Sequence, residues 1–248
     1  MDTLWLVLLL SALPGLGTFA GGLGAEFGRN SPRLLNLALH AASGIVIAIV
    51  AVELMPEVVS ALSGWWVALA FAAGGSAYVL VEAGLERLAG RRAGGGAGMW
   101  MIYVAVAVDL VSDGLMLGTG SAVSASLGIV LACGQILADL PEGYAVMANF
   151  RDKGVPRRRR LLLSATFVLF SVGAALFAFL VLQAASQPMK MAALAFVAGL
   201  LVVAAVEDML EEAHEAVEDD RASVLAFVGG FALFTLVSAG LDSLVSTG

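Results

Sequence analysis

The sequence predicts an all-α membrane protein of eight transmembrane helices, and three observations carry that reading. The 248-residue chain is 60% hydrophobic and only 13% charged, with a mean hydropathy of +0.95; a soluble domain is about half apolar and about a quarter charged. The apolar residues gather into runs of about 20, the length at which a helix crosses a bilayer. The basic residues fall almost entirely on alternate breaks between those runs.

The runs follow in order. Span 1 covers residues 3–23 and stops at the Gly28 to Arg33 break. Asp2 and no basic residue precede it, so it lacks the basic leader of a cleavable signal peptide and is expected to stay in place. Span 2, 34–53, closes at Pro56 to Gly64, and span 3, 65–85, at Arg87. The glycine-rich stretch Gly90 to Gly98 reads as a flexible linker, because no strand precedes it as a phosphate loop requires. Span 4, 99–120, and span 5, 124–149, are parted by Gly118 to Ser124. Span 6, 161–185, follows the basic segment Arg151 to Arg160. Span 7, 191–210, follows Gln187 to Lys190, and span 8, 222–245, follows an acidic segment, Glu211 to Asp220, expected as a loop. The whole of 1–248 reads as one multi-pass membrane domain.

Direction comes from the basic residues. Arg29 and Arg33, then Arg87, Arg91 and Arg92, then Arg151, Lys153 and Arg157 to Arg160, then Arg221 occupy four breaks on one side. Among the 13 basic residues only Lys190 lies opposite. That side is predicted to be cytoplasmic, with both termini outside and the chain in the inner or plasma membrane. The arginine run 157–160 reads as a topology anchor.

Several classes of chemistry are excluded. No tract is rich in both basic and aromatic residues, so nucleic acid is not an expected partner. Cys133 is alone, which rules out an intrachain disulfide and a cysteine metal cage. His40 and His214 cannot make a histidine-rich zinc site, and His40 reads as a packing histidine. The chemistry is left to carboxylates.

Four of these lie where a membrane should hold none. Asp109 and Asp113, spaced i, i+4, share a face of span 4; Asp139 and Glu142, spaced i, i+3, share a face of span 5. No Lys or Arg lies within any span, and an acid near the bilayer centre costs several kcal/mol. The four therefore need protons or bound cations. Pro141 leaves the carbonyl of Leu137 without its helical partner, which is tolerated at this depth where backbone lines a cavity or an ion path. Gly114, Gly118, Gly134 and Gly143 are expected to let spans 4 and 5 approach closely.

At these residues the chain resembles a known family. Asp109-Leu-Val-Ser-Asp113-Gly114, followed by Ala138-Asp139-Leu-Pro141-Glu142-Gly143, resembles the paired motifs of the ZIP (Zrt/Irt-like) metal transporters. In that family span 4 reads His-Asn-x-x-Asp/Glu-Gly and span 5 reads Gln/His-Asp/Glu-x-Pro-Glu/His-Gly. The resemblance implies eight spans, termini outside and a metal site of Asp109, Asp113, Asp139 and Glu142. Asp109 stands in the place of the family histidine, Leu110 in that of the asparagine and Ala138 in that of the first span-5 ligand, and span 6 has no acid. These departures withhold the ligands that many members use for a second, adjacent metal, so one metal per chain is expected.

An internal likeness agrees with the family arrangement. Residues 51–57, Ala-Val-Glu-Leu-Met-Pro-Glu, resemble 205–212, Ala-Val-Glu-Asp-Met-Leu-Glu-Glu, in spans of opposite direction. An inverted repeat of spans 1–3 and 6–8 around a central span 4–5 pair would relate them. It would set Glu53 and Glu57 at an outer mouth and Glu207, Asp208 and Glu211 at an inner one.

The function expected is carriage of a divalent metal, zinc or another such as Mn or Fe, by alternating access, the metal being cargo and no cofactor being needed. Alternatives are a proton-coupled carrier of another solute and a non-transporting membrane metal sensor. No enzyme is expected: the Gly-x-Gly-Asp motif of intramembrane aspartyl proteases is replaced by Val111-Ser112-Asp113 and Leu137-Ala138-Asp139. The partners are the metal ion and the bilayer, and a homodimer is one assembly that the reading allows.

In a Cys133→Ser background, a cysteine placed beside Arg157 is expected to resist an impermeant thiol reagent applied outside intact cells. Labelling from outside would reverse the topology.

Overall fold

The structure, a computed structural model, describes residues 3–28, 31–90, 97–218 and 220–246. Asp2, Arg29, Arg91, Arg92, Asp219 and most of the glycine-rich linker lie outside the described residues. Eight long helices follow one another: α1 (Thr3–Phe27), α2 (Pro32–Ala61), α3 (Gly64–Gly90), α4 (Ala97–Val123), α5 (Ala125–Asp152), α6 (Arg157–Leu182), α7 (Gln187–Ala216) and α8 (Arg221–Ser246). Each contains a stretch long and apolar enough to cross a membrane, and no strand occurs among the described residues. The protein is an all-helical, multi-pass membrane protein.

Side chains set the helix ends. Ser31 caps α2 by accepting from the Leu34 N–H, with Pro32 in the first turn where no N–H is required. The break expected over Gly118 to Ser124 narrows to Ser124 alone, an extended residue whose Oγ accepts from the Leu127 N–H at 3.1 Å. α5 closes on Gly154, whose φ of 72° suits glycine, with bonds from Gly154 to the Arg151 carbonyl and from Val155 to the Phe150 carbonyl.

Two helices outrun their expected ends. α2 continues past Pro56 to Ala61, and α7 continues through Glu211 to Ala216, where a loop was expected. Each contains one π-helical stretch, Ile49–Leu54 in α2 and Ala205–Leu210 in α7. The π turn ends at Leu54, so Pro56 falls in the first turn of the α-helix that restarts at Met55, where proline is accepted. Glu211 to Ala216 is built from Glu and Ala with one His, a composition that sustains a helix after the second π turn.

The core is made by α2, α4, α5 and α7, whose most apolar stretches are 56–61% buried, against 17% for α3 and α8. α1 packs on α5 and α6, and α4 packs on α6; α2 packs on α8, and α3 on α7. These two groups meet where α2 lies on α5 and α4 on α7. The closest backbone approaches fall inside the groups. A Cβ on Gly143 would strike the Thr18 carbonyl of α1, and one on Gly114 or Gly118 would strike the carbonyls of Ser171 or Ala175 on α6. Gly134 faces the Phe234 ring of α8. The glycines expected to join spans 4 and 5 therefore bind each of them to a different neighbour.

Polar ties close the ends. The Glu26 carboxylate at the end of α1 accepts two bonds of 2.7 Å from Arg160 and pairs with Arg157 at 3.0 Å, fastening α1 to α6. At the far end Lys190 Nζ donates to the Ala122 carbonyl at 2.8 Å, completing the last turn of α4.

Gly143→Ala is expected to destabilise the protein by about 1–3 kcal/mol through overpacking. Gly173→Ala on α6, where a Cβ meets open space, should be neutral or stabilising. Thermal unfolding in detergent compares the two directly; equal midpoints would refute the close packing of α1 on α5.

Candidate metal centre

α4 and α5 run side by side and bring the four mid-span acids together. Asp109, Asp113, Asp139 and Glu142 are all buried. They form two tiers. In one, Asp113 and Asp139 share a donor that the sequence reading passes over: Gln135, fully buried one turn before Asp139, donates its Nε2 to Asp113 Oδ1 and, at 3.3 Å, to Asp139 Oδ1. In the other, one turn nearer the α5–α6 turn, the carboxyls of Asp109 and Glu142 lie within hydrogen-bonding reach of each other. A bond between them requires a proton on one of the two.

Each acid keeps one oxygen without a hydrogen-bond partner: Asp109 Oδ2, Asp113 Oδ2, Asp139 Oδ2 and Glu142 Oε2; Gln135 Oε1 is in the same condition. Among the described residues the only other such buried atom is Ser121 Oγ, so unsatisfied oxygen is concentrated here. Burying a polar atom unpaired costs about 1–3 kcal/mol, more for a charge. The ion pairs Arg33–Asp220, Arg157–Glu26 and Arg160–Glu26 lie at helix ends, far along the chain from these acids. Among the described residues no three His, Cys, Asp or Glu side chains are already closed around a common ion position.

A cavity of about 600 Å³ leads to this place from the end that carries the α5–α6 turn. Asp109 and Glu142 stand at its depth, while Asp113 and Asp139 do not line it. Glu207, Asp208 and Glu211 are on its wall. Glu212 and Glu215 join them from the helical part of the supposed loop, and Glu82 and Asp152 add to the wall. The sequence signal for Glu82 was an acid inside an apolar run. Glu212 Oε1 accepts from Asn149 Nδ2 at 2.6 Å, linking α7 to α5 at the cavity's edge.

The structure does not bring Glu53 and Glu57 to this cavity. Glu53 sits in the π turn of α2 and accepts a bond from Ser238 of α8, and Glu57 is exposed. His40 is buried, with Nδ1 2.9 Å from the Asn36 carbonyl and its ring edge-on to that of His214.

The family model of the ZIP zinc transporters matches residues 89–238, taking in α4 to α7 whole and most of α8. A comparison with curated proteins finds no match. The chain belongs to the ZIP zinc transporter family. Membership indicates a divalent-metal transporter, with the metal as cargo and not as cofactor.

Asp139→Ala and Glu142→Ala are each expected to reduce metal uptake to background while the protein still inserts and elutes as wild type. Glu207→Gln, on the cavity wall, and Glu53→Gln should slow uptake without stopping it. Wild-type uptake by either alanine variant would remove the site from between α4 and α5.

Proposed function

We propose that this protein carries a divalent metal ion across the membrane by alternating access, through a site formed by Asp109, Asp113, Asp139 and Glu142. The observation that supports it most is the set of buried, unpartnered carboxylate oxygens, of which those of Asp109 and Glu142 belong to residues lining an acid-walled cavity. A divalent cation can take up these oxygens together, once side-chain rotation draws the two tiers toward one point. An all-oxygen donor set suits Mn and Fe(II) as well as zinc. The funnel of Glu207, Asp208, Glu211 and their neighbours raises the local concentration of cations on the way to or from the site.

Alternating access has support in the packing. The site helices α4 and α5 are held by close backbone contacts to α6 and α1, and α2 and α3 by similar contacts to α8 and α7. Movement between the two groups would carry the acids as a unit past α2 and α7. The pairing also favours an inverted repeat: α1 on α5 answers α6 on α4, and α2 on α8 answers α7 on α3. The two segments that resemble each other, 51–57 and 205–212, both overlap π turns. By the distribution of basic residues the cavity opens to the cytoplasm of an inner or plasma membrane.

Metal binds the ionised carboxylates, so binding releases protons and affinity falls as pH falls. Isothermal titration with Mn or Zn in two buffers of different ionisation enthalpy should show proton release and weaker binding at about pH 5 than at about pH 7. Flat affinity with no proton release would mean that the acids are ionised before metal arrives, and that another positive group balances them.

A further inference from the structure

Gln135 brings an uncharged amide into the middle of four acids. Its place on α5, one turn before Asp139, turns it toward α4 and buries it completely. An amide nitrogen has two N–H bonds and no accepting lone pair. Here it serves two carboxylates on different helices, Asp113 of α4 and Asp139 of α5, each through Oδ1. The same position between two carboxylates is where a second cation would stand if it bridged them. The amide also leaves Oδ2 of each acid unpartnered, together with its own Oε1. A glutamine that merely filled core space would be expected to find a donor for that oxygen as well.

We infer that Gln135 is a positioning residue that occupies, with two neutral N–H donors, the place of a second cation between Asp113 and Asp139, and so sets the site to one divalent ion per chain. This rests on the reading of the four acids as the metal site. Gln135 pins one oxygen of each acid and presents the other to a single ion shared with the tier of Asp109 and Glu142. Glutamate at 135 would replace the donors by a fifth carboxylate and call for a further cation. Leucine would keep much of the volume and remove both donors, freeing the two aspartates to turn away from the ion.

Equilibrium dialysis of the purified full-length protein against Mn and, separately, Cd measures ions bound per chain and their affinity. The wild type is expected to hold one ion, Gln135→Glu two, and Gln135→Leu one with affinity at least tenfold lower. Gln135→Glu holding one ion at wild-type affinity, or a wild type holding two, would overturn the inference. If Gln135→Glu does not yield folded protein, Gln135→Leu decides: wild-type affinity there overturns it equally. Asp139→Ala separates the site from the role of Gln135. Its binding like the wild type would sink the site itself, whereas loss of binding in Asp139→Ala beside unchanged binding in both Gln135 variants would sink only the role of Gln135.

Discussion

Four carboxyl groups buried together in two tiers, with no Lys or Arg in any of the expected spans, are the constraint on which the rest of this molecule depends. A membrane interior offers no water to share their charge. The protein offsets the cost in part: Gln135 serves Asp113 and Asp139, and Asp109 and Glu142 lie close enough to share a proton. That still leaves an unpartnered oxygen on every acid. The remaining compensation has to come from something mobile, a proton or a cation, and the acidic cavity reaches Asp109 and Glu142 from one end of the bundle.

The fold holds the helices that bear these acids more tightly to their supports than to each other. Glycines at 114, 118 and 143 bring α4 onto α6 and α5 onto α1 at backbone distance, so the side chains between α4 and α5 are free to be polar. Across the middle of the bundle, α7 contributes a π turn next to the cavity, and Glu207 and Asp208 lie within it. A π turn shifts the facing of every residue beyond it, and so helps Glu211, Glu212 and Glu215 to share the wall of the funnel with them.

How much of this was legible in the sequence follows from what a one-dimensional pattern can encode. The eight spans were legible because repeated apolar runs of bilayer length are rare outside membrane proteins, and the four acids because charge inside such runs is rare. The ends of α2 and α7 were not. Pro56 and the acids after Leu210 read as stops, while the π turns that carry the helices onward have no residue signature. The likeness between 51–57 and 205–212 marked both places without revealing their shape. The glycines were visible but their partners were not, since periodicity tells which residues share a face and not which helix that face meets. Gln135 escaped for a related reason: an amide in a helix is ordinary until Asp113, on another helix, is known to stand against it.

On the proposed function, a divalent cation completes the carboxylate cluster between α4 and α5. Anomalous scattering from crystals of the full-length protein grown with Cd tests it most directly. One strong peak is expected between the two helices, within coordination reach of oxygens from both the Asp113–Asp139 and the Asp109–Glu142 tiers. Peaks confined to the funnel beside Glu207, Asp208 and Glu211, with none between α4 and α5, would contradict it.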